Sequence, residues 1–352
     1  MTVFPTHEAR CMKIRDTWPR WLLAVALLAT ASLASADTLG KIKSRGTVKC
    51  AVNGEVPGLS MKAADDSWSG MDVDFCRALA AAVLGDADKV EFISTTAAKR
   101  FEALSAGRAD VLARNTSWTQ ARELTEDIRF VGVLYYDGQG FMVPRASGKR
   151  STLELADAKI CAIADTTNID NAKRYFTRNR MPMEIIPFDD LPAATNAYLE
   201  GRCNTLSADQ SQLYAARTIF PQPNEHRILP EIISREPLSP AVREADAKWF
   251  ELVRWTLFTL INAEVFGIDA SNVAGARERA SSDEVRTLLG YDSAINARLG
   301  LKEGWGARII AAVGNYGEMF ERNLGAASGL DINRGLNSLW DHGGLLYAPP
   351  PR

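Results

Sequence analysis

The sequence predicts an α/β protein built from two sheet-forming units, and three observations predict it. Short β-branched runs alternate with helical apolar stripes from Thr47 to Arg114, and the same alternation restarts near Lys159. Two extended stretches, Phe130–Pro144 and Ile228–Leu238, lie between the units and after the second. Such alternation argues for parallel sheets covered by helices.

In the first unit Thr47–Asn53 (TVKCAVN) is a predicted strand. Met71–Leu84 (MDVDFCRALAAAVL) places Phe75, Leu79, Ala82 and Val83 on one helical face, with Asp72 and Asp74 in the first turn, where negative charge suits the helix dipole. Lys89–Thr95 is a strand, Lys99–Ala106 a helix and Asp110–Arg114 a strand. In the second unit the strands are Lys159–Ala164, Met183–Phe188 and Cys203–Ser207. Its helices are Ile169–Arg178, Ala193–Gly201 and Gln210–Ile219. The remainder reads as helices over Glu244–Phe266, Asp283–Leu289 and Gly306–Leu324. Trp249, Leu252, Val253, Leu257, Leu260 and Ile261 give the first of these a broad apolar stripe. By periodicity alone, a ligand cleft between hinged units and two rigidly packed domains are equally good readings.

Composition narrows the function. With 46% hydrophobic and 24% charged residues, the chain is globular and not disordered. The 41 basic and 43 acidic residues leave a net charge of −2, so no basic excess exists to neutralise phosphates, and nucleic acid is excluded as a partner. Three histidines and the absence of a CxxC pair argue against a metal site or a Ser-His-Asp triad, and no cofactor is called for.

Residues 1–36 read as an export signal. Arg10, Lys13, Arg15 and Arg20 make a basic start, Trp21–Leu33 is an uncharged apolar run, and Ala34-Ser35-Ala36 provides small residues for cleavage after Ala36. The apolar run is shorter than the roughly 20 residues a span needs. Removing the signal removes Cys11 and leaves Cys50, Cys76, Cys161 and Cys203. An even set in an exported chain points to disulfides, with three pairings open. Neighbours within one unit, Cys50–Cys76 and Cys161–Cys203, are preferred, each worth about 3–4 kcal/mol by loop closure. Four buried thiols are the alternative.

Several motifs together carry a family resemblance. They are Gly70-Met71-Asp72-Val73-Asp74-Phe75 with Leu79-Ala80, Arg100-Phe101-Glu102-Ala103-Leu104, Gly107-Arg108-Ala109-Asp110-Val111-Leu112, Asn115-Thr116-Ser117-Trp118-Thr119 with Arg122, Tyr135-Tyr136-Asp137-Gly138-Gln139-Gly140-Phe141, and Gly201-Arg202-Cys203-Asn204 with Asp209. The chain resembles the family 3 extracellular solute-binding proteins of polar-amino-acid ABC transporters from about Thr38 to Asn272. The Arg-Asn-Thr-Ser-Trp-Thr and Tyr-Tyr-Asp-Gly-Gln-Gly runs are similar to its general L-amino-acid-binding branch.

The resemblance implies a bilobal type II periplasmic-binding-protein fold: two parallel-core sheets flanked by helices and joined by two hinge segments. Lobe 1 would comprise 37–138 and 234–352, and lobe 2 residues 139–233. It implies a periplasmic monomer, not an enzyme, that binds L-amino acids and delivers them to an inner-membrane ABC permease. Arg122 would hold the ligand carboxylate, helped by Asn115 and Ser117 and, across the cleft, by a turn at Thr166 and Thr167. Asp165 stands in that turn where the family usually has glycine. Asp209 would accept the ammonium, and Phe101 would line the side-chain pocket, with Trp68, Trp118 and Trp305 as further pocket candidates. Without the resemblance, Arg122 could simply pair with Glu123 or Glu126, and Asp209 could cap the helix that follows it. The competing class is an enzyme on the same scaffold, a dehydratase acting on prephenate-like acids or a lytic transglycosylase. Glu55, Asp65 and Asp165 are conceivable acids, but none sits in a motif.

Overall fold

A computed structural model of the chain describes residues 1–2, 37–279 and 282–352. The expected export signal and its cleavage site lie outside the described residues. Asp37 caps the first described helix, Thr38–Arg45, by accepting from the Gly40 N–H at 2.8 Å.

Two five-stranded sheets organise the chain. In the first, the parallel strands Val90–Ser94, Val48–Val52 and Val111–Leu112 lie in that order. Ala241–Arg243 and Ile128–Phe130 extend it, Ala241–Arg243 running antiparallel to both its neighbours. In the second, Met183–Phe188, Ala158–Ile163 and Thr205–Asp209 are parallel, and Gln139–Pro144 and His226–Ile228 complete the sheet with antiparallel pairings. The parallel cores are those the alternation predicts. Of the antiparallel members, Gln139–Pro144 falls within the expected crossover Phe130–Pro144, while Ala241–Arg243 has no counterpart in the sequence reading, because its partners lie far away in sequence. Tyr135–Asp137 pairs antiparallel with Glu236–Leu238, so the two connections between the sheets form one short ribbon. A three-stranded sheet of Glu55–Val56, Ser60–Lys62 and Trp68–Ser69, too short for periodicity to register, precedes the helix Met71–Leu84.

That helix is fixed at its start by specific contacts. A Cβ at Gly70, whose φ is 126°, would lie 2.1 Å from the Leu59 carbonyl oxygen, so only glycine fits at this helix start. Asp72 and Asp74 do more than complement the dipole. Asp72 accepts the Asn115 N–H at 3.0 Å. Asp74 pairs with Arg322 at 2.6 Å and accepts from Asn323 at 2.7 Å, which ties a C-terminal helix to Met71–Leu84. Asp209 starts the helix Gln210–Thr218 but makes no capping bond with its side chain, so its carboxylate serves elsewhere.

The C-terminal region is helical, with differences from expectation: Ala276–Arg279 and Ser293–Leu299 are additional helices. Gly306–Leu324 is not one helix but two, Trp305–Val313 and Tyr316–Asn323. Gly314 adopts a φ of 80°, and Asn315 and Glu318 form a reciprocal capping box that starts the second helix. Trp305–Val313 packs on Met71–Leu84, and Tyr316–Asn323 on Ala247–Val265. Asn337 then bonds to both the N–H (2.7 Å) and the C=O (3.0 Å) of Tyr136 on the connecting ribbon. Cys50–Cys76 and Cys161–Cys203 are disulfide-bonded, with Cα–Cα separations of 6.3 and 5.8 Å. Each ties a central strand to the segment packed beside it. Among the described residues no helix is long and apolar enough to cross a membrane.

Candidate functional site

Strand ends meet at one small cavity of about 20 Å³, lined from the first-sheet side by Arg100, Arg114, Asn115, Thr116, Ser117 and Arg122. From the second-sheet side it is lined by Thr166, Thr167, Asn168, Asp209 and Gln212. Six of the seven ligand-site residues expected from the sequence therefore share one cavity. Phe101 does not line it. Its ring lies beneath the arginines, with the Arg100 guanidinium 4.5 Å and the Arg122 guanidinium 5.8 Å from its centroid. The three candidate tryptophans are also outside it. Trp68 packs on Phe92, Trp118 stacks on Phe130, and buried Trp305 donates to Asn296 at 2.9 Å.

The first-sheet wall is cationic. Arg122 follows the helix cap made by Thr119 and donates to the Ser117 carbonyl at 2.9 Å. It does not pair with Glu123, which accepts instead from the Trp118 indole at 2.7 Å. Arg114, just beyond the strand Val111–Leu112, donates from Nε to the Thr95 carbonyl at 2.7 Å. Arg100 donates to the Ala97 carbonyl and, across the cavity, to the Asp165 carbonyl at 3.1 Å. Burial, and then the neighbouring charges of Arg122 and Arg114, pull the Arg100 guanidinium down to about 9. Burial likewise draws Arg114 down to about 10 and lowers Arg122. Desolvating like charges together is unfavourable, and negative charge entering the cavity would relieve it.

The opposite wall is acidic and internally bonded. Asp209 accepts from the Asn168 amide at 2.9 Å. Burial, reinforced by the carboxylates of Asp137 and Glu236, pushes Asp209 well above the ordinary carboxylate range. Asp137 is raised to about 6, chiefly by burial. The Thr166 hydroxyl donates to the Ile163 carbonyl at 2.7 Å, and the Thr167 hydroxyl to Glu236 at 2.8 Å. Both hydroxyls thus have protein partners, while the turn itself is left-handed at Asp165, with a φ of 54°. Glycine suits that conformation best, and Asp is among the few other residues that tolerate it.

Two buried atoms at this cavity lack a hydrogen-bond partner: the donor Arg100 Nε and the acceptor Gln212 Oε1. Orphaned groups of both signs, one on each wall, describe a site complementary to a molecule carrying both a donor and an acceptor. Sequence reasoning missed Arg100, Arg114, Asn168, Gln212 and Glu236. Arg114 had a usable signal, since a cation closing an apolar strand (VLAR) is expensive unless a partner comes to it. A larger cleft of about 900 Å³ lies beside the connecting ribbon, between Tyr136, Tyr214 and Leu336, and none of the three cavity arginines lines it.

Comparison with known proteins supplies context for this geometry. The family model described as bacterial extracellular solute-binding proteins, family 3, matches residues 48–267. The general L-amino acid-binding periplasmic protein AapJ of Rhizobium johnstonii is 47% identical over 94% of this chain and 97% of its own length. The glutamate/glutamine/aspartate/asparagine-binding protein BztA of Rhodobacter capsulatus is 41% identical over 94% of this chain and 98% of its own. A solved structure of a periplasmic binding protein from Brucella ovis with glutathione bound superposes with a TM-score of 0.88 at 44% identity, covering 90% of this chain and 100% of that one. All three carry the names of binding proteins, not of enzymes.

Proposed function

Because the chain belongs to the bacterial extracellular solute-binding proteins, family 3, we propose that it is the periplasmic solute-binding component of an ABC importer, capturing L-amino acids between two hinged lobes and handing them to a membrane permease. The relatives named above are periplasmic or amino-acid-binding proteins, and that supports both the compartment and the ligand class. The mature monomer begins at Asp37, with lobe 1 formed by 37–138 and 234–352 and lobe 2 by 139–233.

The observation that carries the reading is that Arg122, from the helix Gln120–Thr125, and Asp209, from the second sheet, line one small cavity. A free amino acid carries a carboxylate and an ammonium, and both must exchange water for charged partners. The planar guanidinium of Arg122 offers the carboxylate two parallel bonds, with Asn115, Ser117 and the Thr166–Thr167 turn around it. Asp209 receives the ammonium. A cavity of about 20 Å³ holds roughly one water molecule, so the walls must part before an amino acid enters. The Tyr135–Asp137 and Glu236–Leu238 ribbon is the place for that motion. A ligand whose two poles touch both walls favours the closed arrangement, which makes closure a ligand-shifted equilibrium.

A thermal-shift screen of the twenty amino acids, sugars and prephenate-like acids tests this. Stabilisation by several L-amino acids is expected. A shift with prephenate-like acids alone would move the assignment to the dehydratase class.

A further inference from the structure

Successive residues of the connecting ribbon are tied to different parts of the molecule. At one rung, Tyr136 and Pro237 face each other. Both are held by the first sheet and the C-terminal region beside it. The Pro237 carbonyl accepts the Trp118 N–H at 2.8 Å, and Asn337 bonds to both backbone groups of Tyr136. Asn337 is itself fixed through Arg334, which donates to its carbonyl at 2.9 Å and pairs with Glu264 on the helix Ala247–Val265. At the next rung, Asp137 and Glu236 face each other and are held from the second-sheet side. Asp137 accepts the Ser211 N–H at 3.3 Å, and Glu236 accepts from Thr167 at 2.8 Å and from Asn171 at 2.6 Å. A hinge held in this way turns between the two rungs. Ser117, which lines the ligand cavity, bridges to Leu238 on one edge of the ribbon, and Asn337 holds the other edge.

The cleft of about 900 Å³ includes that second edge. From the second-sheet side it is lined by Tyr214 and Ile232, and from the C-terminal segment by Leu336 and Leu345. Ile232, Leu336 and Leu345 are 57%, 53% and 50% exposed. Apolar side chains gathered around one cleft from two bodies mark a surface that another arrangement buries. Here the ligand cavity is nearly closed and this cleft stands open. A rotation about the ribbon that parts the first narrows the second. We propose that the cleft is the seam of the ligand-free state: as the ligand cavity opens, Tyr214 and Ile232 close onto Leu336 and Leu345. The inference rests on the hinged-lobe reading and deepens it. The C-terminal segment opposes closure, because a contact made only in the open arrangement shifts the equilibrium away from the closed one. Affinity is thus set in part by residues that never touch the ligand. Leu336 and Leu345 lie beyond residues 48–267, so this control belongs to a segment that the family model does not cover.

Calorimetric titration of Ile232→Ser, Leu336→Ser and Leu345→Ser tests this, with L-glutamine and with whichever of the twenty amino acids the thermal screen ranks first. Each variant is expected to bind about three- to tenfold more tightly than the unaltered chain, since a half-exposed apolar side chain is lost from the open state alone. The three substitutions together are expected to tighten binding further. Without ligand, that triple variant is expected to scatter X-rays as a more compact particle than the unaltered chain, close to the ligand-bound form. Affinity that falls, or stays within about twofold, in all three single variants overturns the seam. Unchanged scattering by the triple variant overturns it too. A role in fold stability alone would lower the melting temperature and the affinity together, the opposite sign. Should the unaltered chain bind none of the twenty amino acids, the amino-acid reading falls and the scattering of the ligand-free proteins decides the seam.

Discussion

The two walls of the Arg122–Asp209 cavity treat their polar groups in opposite ways. On the first-sheet wall the arginines are held by backbone carbonyls, and their charge faces the cavity without a counter-ion. On the second-sheet wall, Asp209, Asn168, Thr166 and Thr167 bond to their own neighbours or to Glu236. The cationic wall is therefore prepared to receive a ligand, whereas the acidic wall must exchange existing bonds for new ones. On the amino-acid reading proposed above, this difference would put affinity mainly on the first wall and coupling to protons mainly on the second.

The largest effect should come from the cationic wall. Arg122→Met is expected to weaken amino-acid binding by about 3–5 kcal/mol, or more than a hundredfold, since it strands a buried carboxylate. Calorimetry measures this, and affinity within threefold of the unaltered chain would remove Arg122 from the site. Next come the two disulfides, one behind each wall. Replacing either pair by serine is expected to lower stability by about 3–4 kcal/mol, read from the urea midpoint. Their sequence separations of 26 and 42 are too similar to distinguish the two.

Asp209 should show a smaller loss with a distinct signature. Its raised pKa means that the ligand-free protein holds a proton there above the ordinary carboxylate range, and an arriving ammonium favours the ionised form. Binding should therefore release a proton, and affinity should rise with pH until the ligand-free carboxyl is itself ionised. Asp209→Asn is expected to cost about 2 kcal/mol and to abolish that release, as measured by titration in buffers of different ionisation enthalpy. Persistent proton release in the variant would transfer the effect to Asp137. Asp137 makes a related stability prediction. Its pKa of about 6, against an ordinary value of 3.8, means that the folded state binds the proton more tightly. Its contribution is fully present below pH 4 and fades as pH rises toward 6, so Asp137→Asn should flatten the pH dependence of the melting temperature across that window. The smallest effect belongs to the turn. Asp165→Gly relieves a left-handed residue and is expected to stabilise by about 0.5–1 kcal/mol, a rise of about 1–3 °C. A fall would show that the Asp165 carboxylate itself holds the turn beside Arg100.

Much of this molecule was legible in the sequence. Met71–Leu84 and Met183–Phe188 fall where periodicity places them, because the apolar repeat of a helix or strand is written residue by residue. The preferred cysteine pairing was legible because both partners sit within one unit. Arg122 and Asp209 were legible through motif resemblance, not through chemistry readable at either position alone. The break at Gly314 was missed because an apolar helical stripe continues across it, and only the capping box of Asn315 and Glu318 shows the restart.

Local periodicity and motif thus gave most of the regular elements, the two-unit plan and the two residues, Arg122 and Asp209, that the structure brings to one cavity. Tertiary structure decided which charges meet. Arg100, Arg114 and Arg122 come from separate elements of one sheet region, Asp209 from the other sheet, and Glu236 from the connecting ribbon. Sequence distance says nothing about their shared burial. Their shifted ionisation and missing counter-ions arise only when packing removes water from all of them at once, because desolvation is a property of the assembled cavity and not of any residue in it.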